Sequence, residues 1–104
     1  MIISGGLNVY PKEIEMVLDE LPGVLETAVI GVPHPDFGEA AVAVVVREAG
    51  SDVGQAALAD ALDGVLARFK HPQQYVFSDS LPRNAMSKVQ KAGLRLDHAN
   101  LFDT

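Results

Sequence analysis

The strongest constraint on this chain is a pair of apolar runs set either side of one short loop. Residues 26–32 (Glu-Thr-Ala-Val-Ile-Gly-Val) are rich in β-branched side chains and bounded by turn residues. Residues 33–38 (Pro-His-Pro-Asp-Phe-Gly) form a loop of proline, aspartate and glycine, and residues 40–47 then run almost without a polar interruption. Branched side chains suit a pleated surface, and a turn of this composition folds the chain back on itself. The expectation is two central antiparallel strands. The longest apolar stretch, residues 40–46, is far shorter than the roughly 20 residues that span a bilayer, so no membrane partner is expected.

The flanking segments supply helices. Pro11 suits a first helical turn, where its missing N–H is no loss, and Ile14, Val17, Leu18 and Leu21 recur on one helical face, so residues 11–20 read as an amphipathic helix. Asp52 followed by Gln55 resembles a capping box, and Leu58, Leu62, Val65, Leu66 and Phe69 form the apolar stripe of a second helix over residues 53–67. Pro72 ends that pattern, residues 74–77 read as a third short strand, and residues 90–96 as a last short helix. At the start, Ile2-Ile3 and Val9-Tyr10 flank Ser4-Gly5-Gly6-Leu7-Asn8, a small hairpin with two glycines at its tip. The fold class is α+β: a three-stranded antiparallel sheet flanked by helices, plus an N-terminal two-stranded hairpin.

With 104 residues, the chain is a single domain over 1–104. Such a chain buries about 60–70% of its unfolded surface, enough for a core but not for a deep substrate pocket as well. It has no cysteine, so thiol chemistry and cysteine zinc sites are excluded. His34, His71 and His98 are too scattered for a metal cluster, and no protein-bound metal is expected. Met1 is followed by no basic n-region or leader, which makes the cytoplasm the expected location. The net charge is −6, yet residues 68–95 carry Arg68, Lys70, Arg83, Lys88, Lys91 and Arg95 against the single acid Asp79. An acidic body with one basic third argues against nucleic acid as a partner. It leaves two readings: an edge that meets phosphates or carboxylates, or a solvated basic helix end.

Three segments then occur in a recognisable order. They are residues 4–11 (Ser-Gly-Gly-Leu-Asn-Val-Tyr-Pro) with Glu13 and Glu15 following, residues 31–39 (Gly-Val-Pro-His-Pro-Asp-Phe-Gly-Glu), and residues 81–89 (Leu-Pro-Arg-Asn-Ala-Met-Ser-Lys-Val). Together they resemble the C-terminal domain of the adenylate-forming acyl-CoA synthetases, and the wording of the second and third is most similar to the malonyl-CoA synthetases. The resemblance implies a two-step ligase. A carboxylic acid and MgATP give an acyl-adenylate and pyrophosphate, and the thiol of CoA then displaces AMP. It also implies that this small domain is a mobile lid beside a large N-terminal adenylation domain, which carries the ATP loop and the acyl pocket. None of those elements is found in these 104 residues, so the isolated chain is expected to be inactive alone and to bind no cofactor tightly. The family's hinge residue lies just upstream of Ile2, so the chain is expected to begin just past the pivot.

By the same resemblance, Lys88 is the lysine delivered for adenylation, and the physics suits it. A compact ammonium held between a carboxylate and an α-phosphate offsets the repulsion of like charges. Read from residue type alone, Lys88 is a solvated surface lysine, and it is the motif in register that reverses that reading. Gly5 and Gly6 correspond to the loop lining the pantetheine channel, though alone they read as an ordinary tight turn. Phe69, His71 and Gln73 align with positions where related synthetases contact the CoA nucleotide, and any phosphate contact here is expected to be weaker or to come from Lys70 or Arg68. His71 and Gln73 depart from the usual basic residues there, and Phe69 also continues the apolar stripe of the second helix. Ser87 stands where many members carry glycine, in a motif that lysine acetyltransferases recognise. Glu13 and Glu15 read as helix-dipole residues rather than acid–base catalysts, and Asp36 and Glu39 as loop organisers.

The competing class is a non-catalytic ferredoxin-like module that binds a small ligand or pairs through a sheet edge. A lid apart from its large domain would also expose apolar surface, so weak self-association is expected in either case.

Overall fold

A computed structural model describes residues 1–102. Two short strands, β1 (Ile2–Ser4) and β2 (Leu7–Val9), form a hairpin and lead into helix α1 (Pro11–Asp19). Strands β3 (Val24–His34) and β4 (Gly38–Arg47) follow, then helix α2 (Gln55–Leu62), a 3₁₀ turn at Arg68–Lys70, strand β5 (Gln74–Ser78) and helix α3 (Lys91–Asp97).

The main sheet has the order β3-β4-β5. Strands β3 and β4 are antiparallel, paired from Val24↔Arg47 to His34↔Gly38 as the loop composition demanded, but β4 alone is central and β3 is an edge. The wholly antiparallel expectation is corrected at β5, which runs parallel to β4 from Val42↔Gln74 to Val46↔Ser78. A parallel neighbour needs a crossover of a dozen or more residues, and the connection through α2 supplies it. The ferredoxin-like alternative is not the observed topology either. β1 and β2 pair only with each other, which leaves a three-stranded mixed sheet.

Because β4 is buried on both faces, its alternating side chains feed two cores. Ala41, Ala43 and Val45 meet Ile14 and Leu18 of α1 and Leu58 and Leu62 of α2, while Val42, Val44 and Val46 meet Ala28, Ile30, Leu81 and Leu94 on the other side. This is why the run from 40 to 46 has no polar position. Helix α1 begins at Pro11 as expected. Helix α2 is shorter than expected, ending at Leu62, since Gly64 adopts a φ of +80° and turns the chain. The capping box is also corrected: Gly54 is the N-cap, without a side-chain bond, and Ser51 Oγ instead accepts the Val53 N–H at 3.2 Å.

The acids of α1 do more than face a helix dipole. Glu15 Oε2 accepts the Val29 N–H of edge strand β3 at 2.8 Å and pairs with Lys91 of α3 at 2.8 Å, while Glu13 pairs with Lys70 at 3.2 Å. Asp19 likewise takes the Thr27 hydroxyl at 2.7 Å, so α1 covers an edge that would otherwise be open to pairing.

Glu39 ties the hairpin to the sheet, its Oε1 accepting the Ile3 N–H at 3.0 Å. Gly31 makes room for it, because a Cβ there would lie 2.6 Å from the Glu39 carboxyl. Gly31→Ala is therefore expected to push Glu39 aside, cost about 1 kcal/mol for the lost bond, and speed hydrogen exchange at the Ile3 amide. An Ile3 amide as protected in the variant as in the parent would contradict this tie.

Candidate functional site

Lys88 lies in the segment between β5 and α3, on a loop closed by its own backbone. Residues Arg83 and Val89 form an isolated antiparallel bridge, Gln90 N–H donates to Pro82 O at 2.8 Å, and Asn84 N–H donates to Lys88 O at 2.9 Å. The Asn84 Oδ1 accepts the N–H groups of Met86 and Lys88 at 2.9 and 3.0 Å. Ser87 turns the chain with a φ of +64°, the only left-handed non-glycine among the described residues, which gives a physical reason for glycine at that position in a related motif. Lys88 itself is exposed, and among the described residues its ammonium enters no ion pair or hydrogen bond.

Gly5 and Gly6 form the two-residue tip of the hairpin with φ of +58° and +83°, a conformation that suits the right-handed twist of the flanking strands. The tip is docked, since Gly5 N–H donates to Phe37 O at 3.0 Å. Phe37 in turn stacks on His34 with ring centroids 4.3 Å apart. The His34 Nδ1 accepts the N–H groups of Asp36 and Phe37 at 3.0 and 3.2 Å, which leaves its proton on Nε2. His34 therefore organises the β3–β4 turn, the role expected of Asp36. Glu39 keeps its role as organiser.

Phe69, Lys70 and His71 occupy the 3₁₀ turn and its end, against β2. Phe69 is 43% exposed, so it does not continue the apolar stripe of α2 into the core. Lys70 Nζ is held by Glu13 and lies 5.9 Å from the Phe69 ring centre. His71 Nε2 lies 3.2 Å from Leu66 O, and a carbonyl only accepts, so this nitrogen carries the proton and the other remains available. Beside them a cleft of about 480 Å³ is lined by Asp60, Asp63, Arg68, His71, Gln73 and Tyr75 among others. Burial raises the Tyr75 phenol above its ordinary 10.0, so it remains a neutral hydroxyl.

The candidate residues thus fall into two groups. The glycine tip docks on the β3–β4 turn and the Phe69–His71 turn packs against β2 of the same hairpin, with Ile3 and Leu7 each 49% exposed. The Lys88 loop is anchored at the other end of β3, where Arg83 pairs with Glu26. From Glu26 to His34 the strand path is about 26 Å at roughly 3.3 Å per residue. Arg83, Asn84, Glu26 and His34 were not expected as organisers. An arginine and an asparagine just after a proline are the only signal the sequence offers for the first two.

Comparison with known proteins agrees with this architecture. Residues 13–88 match the family described as AMP-binding enzyme C-terminal domain. The long-chain-fatty-acid–CoA ligase FadD13 of Mycobacterium tuberculosis is 45% identical over 95 residues, covering 91% of this chain and 19% of that protein. The indoleacetate–CoA ligase of Aromatoleum aromaticum is 46% identical over 95 residues, again 91% of this chain and 19% of that protein. Among solved structures, apo MatB from Rhodopseudomonas palustris superposes with a TM-score of 0.94 at 54% identity, covering 97% of this chain and 20% of that one. The chain spans about a fifth of the length of the relatives it matches. On the strength of a family match over most of the chain and of these close ligase relatives, the chain belongs to the AMP-binding enzyme C-terminal domain family, the C-terminal domain of adenylate-forming acyl-CoA ligases.

Proposed function

We propose that the chain works as the mobile lid of an ATP-dependent acyl-CoA ligase whose large adenylation domain supplies the ATP and acyl pockets. In the first step a carboxylate oxygen attacks the α-phosphorus of MgATP and pyrophosphate leaves; in the second the CoA thiol attacks the acyl carbon and AMP leaves. Lys88 serves the first step, placing one ammonium where two anions must meet. The Gly5-Gly6 tip serves the second by letting the pantetheine arm pass close to bare backbone. Phe69 and His71 face the CoA nucleotide, with the Lys70 charge shared with Glu13. The wording of residues 31–39 and 81–86 makes a malonyl-CoA synthetase type the reading for the acid.

The observation that carries the proposal is that the Lys88 ammonium, among the described residues, has no ion-pair or hydrogen-bond partner and stands on a loop hydrogen-bonded shut and anchored at Glu26, whereas the glycine tip docks on the turn at Phe37. Two such separated groups suit a lid that turns a different end to the reaction in each step. The exposed Ile3, Leu7 and Phe69 are then surface that meets the large domain, and weak self-association of the chain alone is expected from them.

An antibody raised against these residues is expected to detect, in source cells, a polypeptide about five times the 11.1 kDa of this chain, as the coverage of the relatives suggests. That polypeptide should release pyrophosphate in an acid-dependent way and form an acyl-CoA, with malonate the first acid tested, while the 104-residue chain alone does neither. A full-length protein inactive with every carboxylic acid in the panel, or an isolated chain that binds a small ligand tightly, would sink the proposal.

A further inference from the structure

We infer that Arg83 and Asn84, with Glu26 behind them, form a clasp that presets the Lys88 loop for adenylation; this rests on the reading of Lys88 above. The Arg83 guanidinium is forked between two elements. Its Nη2 pairs with Glu26 Oε1 on β3, and its Nη1 donates to the Ser87 carbonyl at 2.8 Å. Asn84 grips the Lys88 main chain from both sides, its N–H donating to Lys88 O and its Oδ1 accepting Lys88 N–H. The root of the loop, Leu81, is buried in the second core. The loop is therefore fixed at its base, across to the sheet and internally, while the lysine side chain itself stays exposed.

The sheet is shaped for this contact. The β3–β4 register shifts between Val24 and Glu26, so Leu25 is extra on β3 and is left 61% exposed. Across this bulge the parity of β3 reverses: Val24 packs with Val29 in the first core, whereas Glu26 shares the face of Ala28 and Ile30, where Leu81 lies. The bulge turns Val24 back into the first core, while Glu26, in regular register with Val46, keeps its carboxylate on the Leu81 face, where it meets Arg83.

The functional consequence is preorganisation. An arginine fork bonds two acceptors with little residual freedom, which a lysine ammonium does not reproduce. A lysine displaced by about 1 Å from its working position can cost on the order of 100-fold in rate. Arg83, Asn84 and Glu26 are thus positioning residues that act through Lys88 and belong to the first half-reaction only.

The test uses the full-length ligase with the two half-reactions measured separately. Arg83→Met and Asn84→Ala should each lower kcat for acid-dependent pyrophosphate release by about 10- to 100-fold, with KM for ATP and acid within about twofold and thiolation of supplied acyl-adenylate unchanged. Glu26→Leu should slow adenylation in the same way, Glu26→Gln should restore it because the amide oxygen still accepts from arginine, and Glu26→Leu added to Arg83→Met should cost nothing further. Equal slowing of both half-reactions would show a merely structural role and overturn the clasp. Normal adenylation in Arg83→Met and Asn84→Ala, with Lys88→Ala inactive, would overturn the clasp and leave Lys88 in place. If Lys88→Ala adenylates normally, the reading of Lys88 fails, and the clasp with it.

Discussion

In the full-length ligase, Lys88→Ala is expected to slow acyl-adenylate formation by about 10²- to 10³-fold, the loss typical of removing one preorganised charge from a developing transition state. Conversion of supplied acyl-adenylate to thioester should keep its rate. The split follows from where the lysine stands. Its side chain is exposed and, among the described residues, makes no contact that holds the fold. None of the bonds that close the loop uses the Lys88 side chain, so alanine keeps every one of them. The variant should therefore melt within about 0.5 kcal/mol of the parent, as surface substitutions generally do. Lys88→Arg tests the same idea from the other side. It preserves the charge but spreads it over a larger planar group, so partial activity is expected. Unaltered pyrophosphate release in Lys88→Ala would remove the lysine from the mechanism.

How much of this was legible beforehand depends on how local the cause is. The hairpin tip, the start of α1 at Pro11 and the β3–β4 pair follow from residues a few positions apart, and they stand as read. The direction of β5 is not local. Residues 74–77 announce a strand, but only the long helical connection before them indicates a parallel neighbour, and nothing in the strand's own residues does. The early end of α2 has its cause in Gly64, which the helical spacing of Val65, Leu66 and Phe69 masks in the sequence. Val65 and Phe69 are instead exposed, at 62% and 43%, while Leu66 still packs against the first core from beyond the helix. At the site, residue identity and motif led to Lys88 and the two glycines, whereas the supports did not show. Glu26 and Arg83 meet from distant parts of the chain, a pairing that leaves no local signature in either segment. His34 hides a second function in the same way, since a histidine in a proline loop does not reveal that its Nδ1 accepts two main-chain N–H groups.

The second large effect is expected at the opposite end of β3 and in the opposite half-reaction. Gly6→Leu should slow thioester formation by about 100-fold while adenylation stays within about threefold of normal. Nothing lies within 4 Å of a Cβ built on Gly6, so the added side chain enters open space beside the hairpin rather than the core. That open space is where the proposed pantetheine path passes. Backbone strain is a second possible source of loss, because the φ of +83° disfavours any L side chain. Two further variants separate the two causes. Gly6→Ala carries the strain with almost no bulk, and Gly6→Asn carries bulk with a side chain that tolerates left-handed backbone. If obstruction is the cause, the asparagine variant behaves like leucine and the alanine variant stays near normal. If alanine is the worse of the two, the hairpin matters through its conformation alone and the channel assignment fails. Paired with Lys88→Ala, these variants ask whether one small domain serves two reactions through two separate ends. A lid that rotates between steps requires each lesion to spare the other step, and a lid that works in a single orientation predicts that both lesions slow both steps together.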